Sequence, residues 1–108
     1  MRGYLSAFEE LVLLAALRRG EDAYALTILE EIEERTGRVP SFGSIYVTLD
    51  RLEDRGLLRS RLESGGAERA GRPRRYVTPT PAALRALRES HRAWRRMYDG
   101  LERRLGHA

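Results

Sequence analysis

The 108-residue chain contains no cysteine, lysine, asparagine or glutamine. The missing cysteine excludes a disulfide framework, a thiolate metal site and a thiol nucleophile. Histidine is almost as scarce: His91 falls within an apolar seam and His107 stands next to the end. No Gly-rich phosphate loop opens a helix after a strand, so neither enzymatic activity nor a cofactor or metal is expected. No apolar run approaches the roughly 20 residues that cross a bilayer. The start of the chain also lacks the charged, apolar and small-residue order of a secretory signal, which makes a cytoplasmic location the expectation.

Arginine and apolar residues are abundant. The chain is 42% hydrophobic and 33% charged, the composition of a soluble globular domain. All 20 basic residues are Arg, a usage that a GC-rich genome explains. Their placement is more informative. Residues 1–37 hold four Arg and eight acids, residues 38–76 nine Arg and five acids, and residues 77–108 seven Arg and three acids. An acidic front and a basic middle favour one face turned toward a polyanion.

Helix signals open the chain. Ser6-Ala7-Phe8-Glu9 fits a capping box, Leu11, Leu14, Ala15 and Leu17 give an apolar face, and Gly20 supplies a stop. Asp22 is the expected cap of a second helix, with Leu26, Ile28, Leu29 and Ile32 inside and Glu30, Glu31, Glu33 and Glu34 as a solvated acidic strip. Gly37 and Pro40 end it.

The next stretch, "PSFGSIYVTLDRLEDRGLL" (40–58), mixes turn, strand and helix signals. Ile45, Leu49 and Leu52 are spaced four and three apart, so helical geometry puts them on one face. Strand alternation would leave Leu52 and Phe42 unexplained. A helix over 42–55 is expected, capped by Ser41 and stopped by Gly56. Beyond it, "LLRSRLE" (57–63) and "RRYVT" (74–78) alternate as short strands around "SGGAERAGRP", a flexible, Arg-bearing loop. Thr80-Pro81 then starts a last helix. In it Leu84, Leu87, His91, Trp94, Tyr98, Leu101 and Leu105 form an a/d seam of about three heptads, with Gly100 as a point of fraying or bending.

Three helices followed by a β-ribbon describe an α+β, mostly α fold: a winged helix-turn-helix over 1–79 and a C-terminal dimerisation helix over 80–108. The third helix is then suited to the major groove of double-stranded DNA. Its outward side carries Gly43, Ser44, Val47, Thr48 and Arg51, small and hydrogen-bonding except for one apolar contact and one Arg. Ser and Thr can bond base edges or phosphates, Val47 can meet a thymine methyl, and Arg51 can reach guanine or phosphate. Ser41 and the helix start offer amides to a phosphate. Tyr46 stands at the border of the core face, with its hydroxyl free to touch the backbone of DNA. Among the wing arginines, Arg72 and Arg74 are the preferred phosphate contacts, followed by Arg75. The rival reading is a winged-helix module that binds another protein through the seam and the acidic second helix. RNA binding would call for exposed stacking aromatics, whereas Tyr46 and Tyr76 are better explained by packing.

Three segments carry a resemblance: "GEDAY" (20–24), "SFGSIYVTLDRLEDRGLL" (41–58) and "GRPRRYVTPT" (71–80). Over about residues 3–101 the chain resembles the PadR family of transcriptional regulators, in the short branch with a single C-terminal helix. Ala25 and Ala83 stand where that family often has Gly, and "AERAGRPRRY" is a loose version of its wing pattern. The resemblance implies a homodimeric repressor whose helix 42–55 enters the major groove at each half of an inverted repeat, with the C-terminal helix at the dimer interface. It also makes Trp94 and Tyr98 candidates for an inter-subunit pocket that takes a flat, apolar or aromatic effector. Packing within the dimer core is the alternative role for both rings.

Overall fold

The computed structural model describes residues 4–106, apart from the side chain of Glu68. The elements run α1 (Ala7–Arg19), α2 (Ala25–Thr36), α3 (Phe42–Asp54), β1 (Leu58–Glu63), β2 (Arg74–Pro79), α4 (Pro81–Tyr98) and a short α5 (Glu102–Leu105). Three helices and an antiparallel ribbon make the winged helix-turn-helix that the periodicities call for.

Side chains at the helix starts satisfy the free amides there. Ser6 Oγ accepts from the Glu9 amide at 3.1 Å while Glu9 Oε1 accepts from the Ser6 amide at 2.8 Å, which completes the capping box of α1. Ser41 Oγ caps α3 by accepting from the Ser44 amide at 3.1 Å. Thr80 Oγ1 caps α4 and donates to the Gly56 carbonyl at 2.7 Å, which ties that helix to the end of α3. The start of α2 differs from expectation. Asp22 lies in a 3-10 turn over Gly20–Asp22, and Tyr24 takes the cap position. Thr27 Oγ1 accepts from the Tyr24 amide at 3.0 Å and donates to the Asp22 carbonyl at 2.6 Å, so Asp22 contributes backbone and Thr27 does the capping.

The core joins Val12, Leu13 and Ala16 of α1, Ile28 and Ile32 of α2, Ile45, Leu49 and Leu52 of α3, and Leu58 and Val77 of the wing. Each fully buried Leu or Ile contributes roughly 1.5–3 kcal/mol. Leu14 and Leu17 are exposed, contrary to the expected face, and so is Leu26. Residues 11–17 are apolar all round, so spacing alone could not select the side that packs. Nor is the acidic strip of α2 wholly solvated. Glu31 accepts from Arg35 Nε at 2.6 Å and from Arg19 Nε at 2.7 Å, bracing α2 against the end of α1. Those bonds, the Arg35 bond first, hold its carboxyl below the usual glutamate range.

In the ribbon, Leu58 pairs with Pro79, Ser60 with Val77 and Glu63 with Arg74. The Val77 amide also donates to the Ala23 carbonyl at 2.9 Å, so the turn before α2 lies along the other side of β2. Gly65 is required at the wing tip, because a Cβ there would stand 2.1 Å from the Arg72 carbonyl oxygen.

Helix α4 leaves the body after Leu87, the one seam residue that is buried. Leu84, His91, Trp94 and Tyr98 are exposed. Gly100, at φ 84°, then breaks the helix. Leu101 and Leu105 therefore belong to a separate turn, and the seam is not one unbroken line. His107 lies outside the described residues. No helix among the described residues is long and apolar enough to cross a membrane.

Candidate nucleic-acid interface

The two faces of α3 separate as the spacing requires, with one correction. Ile45, Leu49 and Leu52 are fully buried, whereas Gly43, Val47 and Arg51 are exposed and Ser44 is partly so. Thr48 is only 3% exposed. It lies three residues after Ile45 and four before Leu52, which returns it to the inner face. The outward line is therefore Gly43, Ser44, Val47 and Arg51. Ser41 is exposed, and its carbonyl accepts from Ser44 Oγ at 2.8 Å. Tyr46 is half exposed and stacks on Phe42, with ring centroids 6.4 Å apart. Both rings line a cleft of about 480 Å³ between α3 and the wing, together with Leu62, Arg72, Arg74 and Arg75. Tyr46 thus faces the wing, neither the core nor the Val47 side.

The wing arginines are not equivalent. Arg72 is exposed, as are Arg59 and Arg61. Arg74 is partly buried: its guanidinium lies 4.1 Å over the Tyr24 ring and donates to the Tyr76 hydroxyl at 3.2 Å. That bond, above all, raises its pKa. Tyr24 and Tyr76 meet edge to face at 5.5 Å, so "GEDAY" and "GRPRRYVTPT" build one small structure. Arg75 donates to Asp50 Oδ1 at 2.8 Å and to Glu53 Oε1 at 2.5 Å, which fastens β2 to α3. Burial would lower its pKa, but the bonds to the two carboxylates outweigh that and raise it. Glu53 also accepts from Ser60 Oγ at 2.7 Å, and that bond, followed by the one from Arg75, lowers its carboxyl. Of the three preferred wing residues, Arg72 is presented outward, Arg74 is partly engaged, and Arg75 joins wing to helix.

A second fastening was invisible in the sequence. The Glu9 carboxylate is buried and accepts from Arg55 Nη1 at 3.1 Å, across 46 residues. Arg51 Nη1 lies 3.9 Å from its other oxygen. Glu9 signalled only a helix cap; nothing in the local pattern pointed to α3.

Trp94 stands on α4 against Tyr98, with ring centroids 6.3 Å apart. It lines a cavity of about 280 Å³ with Tyr4, Leu5, Glu10, Ser90 and Met97, at the junction of α1, α4 and the chain before α1. Tyr98 is not among the lining residues. Ser90 Oγ donates to Glu10 Oε2 at 2.7 Å beside it.

A comparison with curated protein sequences found no match. Solved structures are informative. A PadR-family transcriptional regulator from Eggerthella lenta DSM 2243 is 29% identical, with a TM-score of 0.70 over 89% of this chain and 80% of that one. One from Clostridium difficile R20291 is 21% identical, with a TM-score of 0.72 over 93% of this chain and 100% of the other. Bacillus subtilis PadR, solved in complex with operator DNA, is 22% identical with a TM-score of 0.68, over 80% of this chain and 48% of that one. The sequence profile of the transcriptional regulator PadR-like family matches residues 13–89. By that match, which takes in all three helices of the helix-turn-helix core from Leu13 onward, the wing and the first half of α4, the chain belongs to the PadR-like family of transcriptional regulators.

Proposed function

We infer that the protein is a homodimeric repressor, which sets α3 of each protomer in the major groove at one half of an inverted-repeat operator and lays the wing on the adjoining backbone. The observation that carries this reading is the outward line of α3. Val47 is 56% exposed in the middle of a helix whose other side is fully buried. An apolar side chain there, flanked on the outward line by Gly43, Ser44 and Arg51, suits a groove floor with thymine methyls. The exposed Arg72 of the wing suits phosphate. Bacillus subtilis PadR, which shares the fold, was solved in complex with operator DNA, and that supports a DNA-binding role for this chain.

Dimerisation is supported by the apolar surface that α4 leaves uncovered. Leu84, Trp94, Met97 and Tyr98 are exposed there, and Leu14 and Leu17 of α1 lie beside its first half. A second copy covers both. The cavity next to Trp94 suits a small, flat, apolar or aromatic effector that stacks on the indole ring.

A gel shift with a duplex selected from source-genome fragments, run over a salt series, tests the reading. Two protomers are expected per inverted repeat. If about six phosphates are neutralised, affinity falls on the order of a thousandfold between roughly 50 and 200 mM salt. Affinity that ignores salt would sink the DNA reading. Trp94→Asp is expected to give monomers, and unchanged mass in solution would remove the seam argument. Leu87 is unsuited to this test because it is buried within one protomer.

A further inference from the structure

The geometry points to Glu9 as a positioning residue for DNA recognition, which holds Arg51 in place on the outward line of α3. This rests on the reading of α3 as the helix that contacts DNA.

Glu9 does more than a cap requires. One oxygen accepts from the Ser6 amide at 2.8 Å and from Arg55 Nη1 at 3.1 Å; the other faces Arg51 Nη1 at 3.9 Å. A capping box needs only the first of these contacts, and Gln meets that need as well as Glu. A carboxylate only 4% exposed is costly unless charges oppose it. Here two guanidiniums oppose it, from Arg51 in the last turn of α3 and Arg55 at its C-cap. Arg55 is the structural partner. It also donates to the Tyr4 carbonyl at 3.2 Å, so it fastens the chain before α1 to the end of α3.

Arg51 is placed differently. It continues the Gly43–Val47 line by one turn, and its side chain is 55% exposed. A long Arg on an open helix face samples many rotamers, and each must be given up when it meets a base. A fixed negative charge beside the guanidinium narrows that set before DNA arrives. At 3.9 Å the contact is longer than a hydrogen bond, so Arg51 can move toward a base edge without breaking one. Arg55 still neutralises Glu9 once Arg51 has left. The buried carboxylate thus orients the reading residue without touching DNA.

Glu9→Gln tests this, because the amide oxygen can keep the cap while the charge is lost. Full-length wild type, Glu9→Gln, Arg51→Ala and the double variant are compared on a duplex that wild type selects from a randomised pool and on a scrambled duplex of equal length. The ratio of the two affinities is expected to fall about 3- to 10-fold in Glu9→Gln, part of what one well-placed Arg–base contact discriminates. In the Arg51→Ala background the same change is expected to do nothing further. Glu9→Asp, which keeps the charge but withdraws it, is expected to lose the ratio as well. Ser6→Ala, which weakens only the cap, is expected to leave it unchanged. An unaltered ratio in Glu9→Gln, an equal fall with Arg51 absent, or an equal fall in Ser6→Ala overturns the assignment. If wild type selects no duplex, the reading of α3 fails and this one fails with it.

Discussion

Replacing Arg75 and replacing Arg72 with Ala should produce opposite signatures, although both residues are wing arginines three positions apart. Arg75 makes two charge-assisted bonds from β2 to Asp50 and Glu53 of α3, and its side chain is only 24% exposed. Bonds to charged groups are each worth about 1.5–3 kcal/mol when sheltered. Both carboxylates are open to water, where exposed ion pairs fall to about 0–1 kcal/mol. The pair together is therefore worth about 1–2 kcal/mol, which corresponds to a Tm lower by roughly 4–16 °C in a domain of this size. Arg72 braces no helix in this way and is exposed. Its loss should leave Tm nearly unchanged but remove one phosphate contact per protomer, lowering the slope of log affinity against log salt by roughly 0.9 for each contact. Thermal melts and fluorescence anisotropy at four or more salt concentrations separate the two outcomes. If Arg75→Ala reduced the slope as Arg72→Ala does while melting like wild type, the division of labour argued from the ion pairs would be wrong.

Two other outcomes follow from the wing and its attachment. Gly65→Ala should displace the wing tip, because the added methyl meets the Arg72 backbone, and so weaken duplex binding with little change in the near-wild-type melt of the core; unaltered affinity would show that the tip does not touch DNA. Glu53 and Glu31 have lowered pKa values, so each contributes stability that is present above the ordinary glutamate value of about 4.3 and is lost as pH falls through the lower, folded-state value. Chemical denaturation at stepped pH should accordingly show Glu53→Gln with a flatter acid limb than wild type, and identical limbs would contradict the assignment.

What could be read from the sequence was whatever depends on local spacing. Ile45, Leu49 and Leu52 announced the buried face of α3, Ser41 its start, and the alternation around Val77 the second wing strand. Thr48 departs from the rule that polar side chains look outward, because its helical angle lies with Leu52. Leu14 and Leu17 were misplaced because α1 has apolar residues on every side, which leaves periodicity nothing to choose by. Asp22 looked like a cap until Thr27, five residues later, took that work. The tie from Arg75 to α3 was beyond reach: its partners stand 22 and 25 residues away, and those distances exist only once β2 lies against α3. The Glu9–Arg55 bond, across 46 residues, was hidden for the same reason.

The bond from the Val77 amide to the Ala23 carbonyl makes the wing lopsided. Of its two strands, β2 is flanked on both sides, by β1 and by the turn before α2, while among the described residues no backbone segment pairs along the far side of β1. The ribbon therefore offers a single open margin where a foreign strand could add. Its residues are Arg59, Ser60, Arg61, Leu62 and Glu63, three of them charged. Charged side chains along such a margin discourage edge-to-edge growth. In a crowded cell the arginines of β1 thus help to keep one molecule of the regulator from sticking to the next, whatever they contribute to DNA binding.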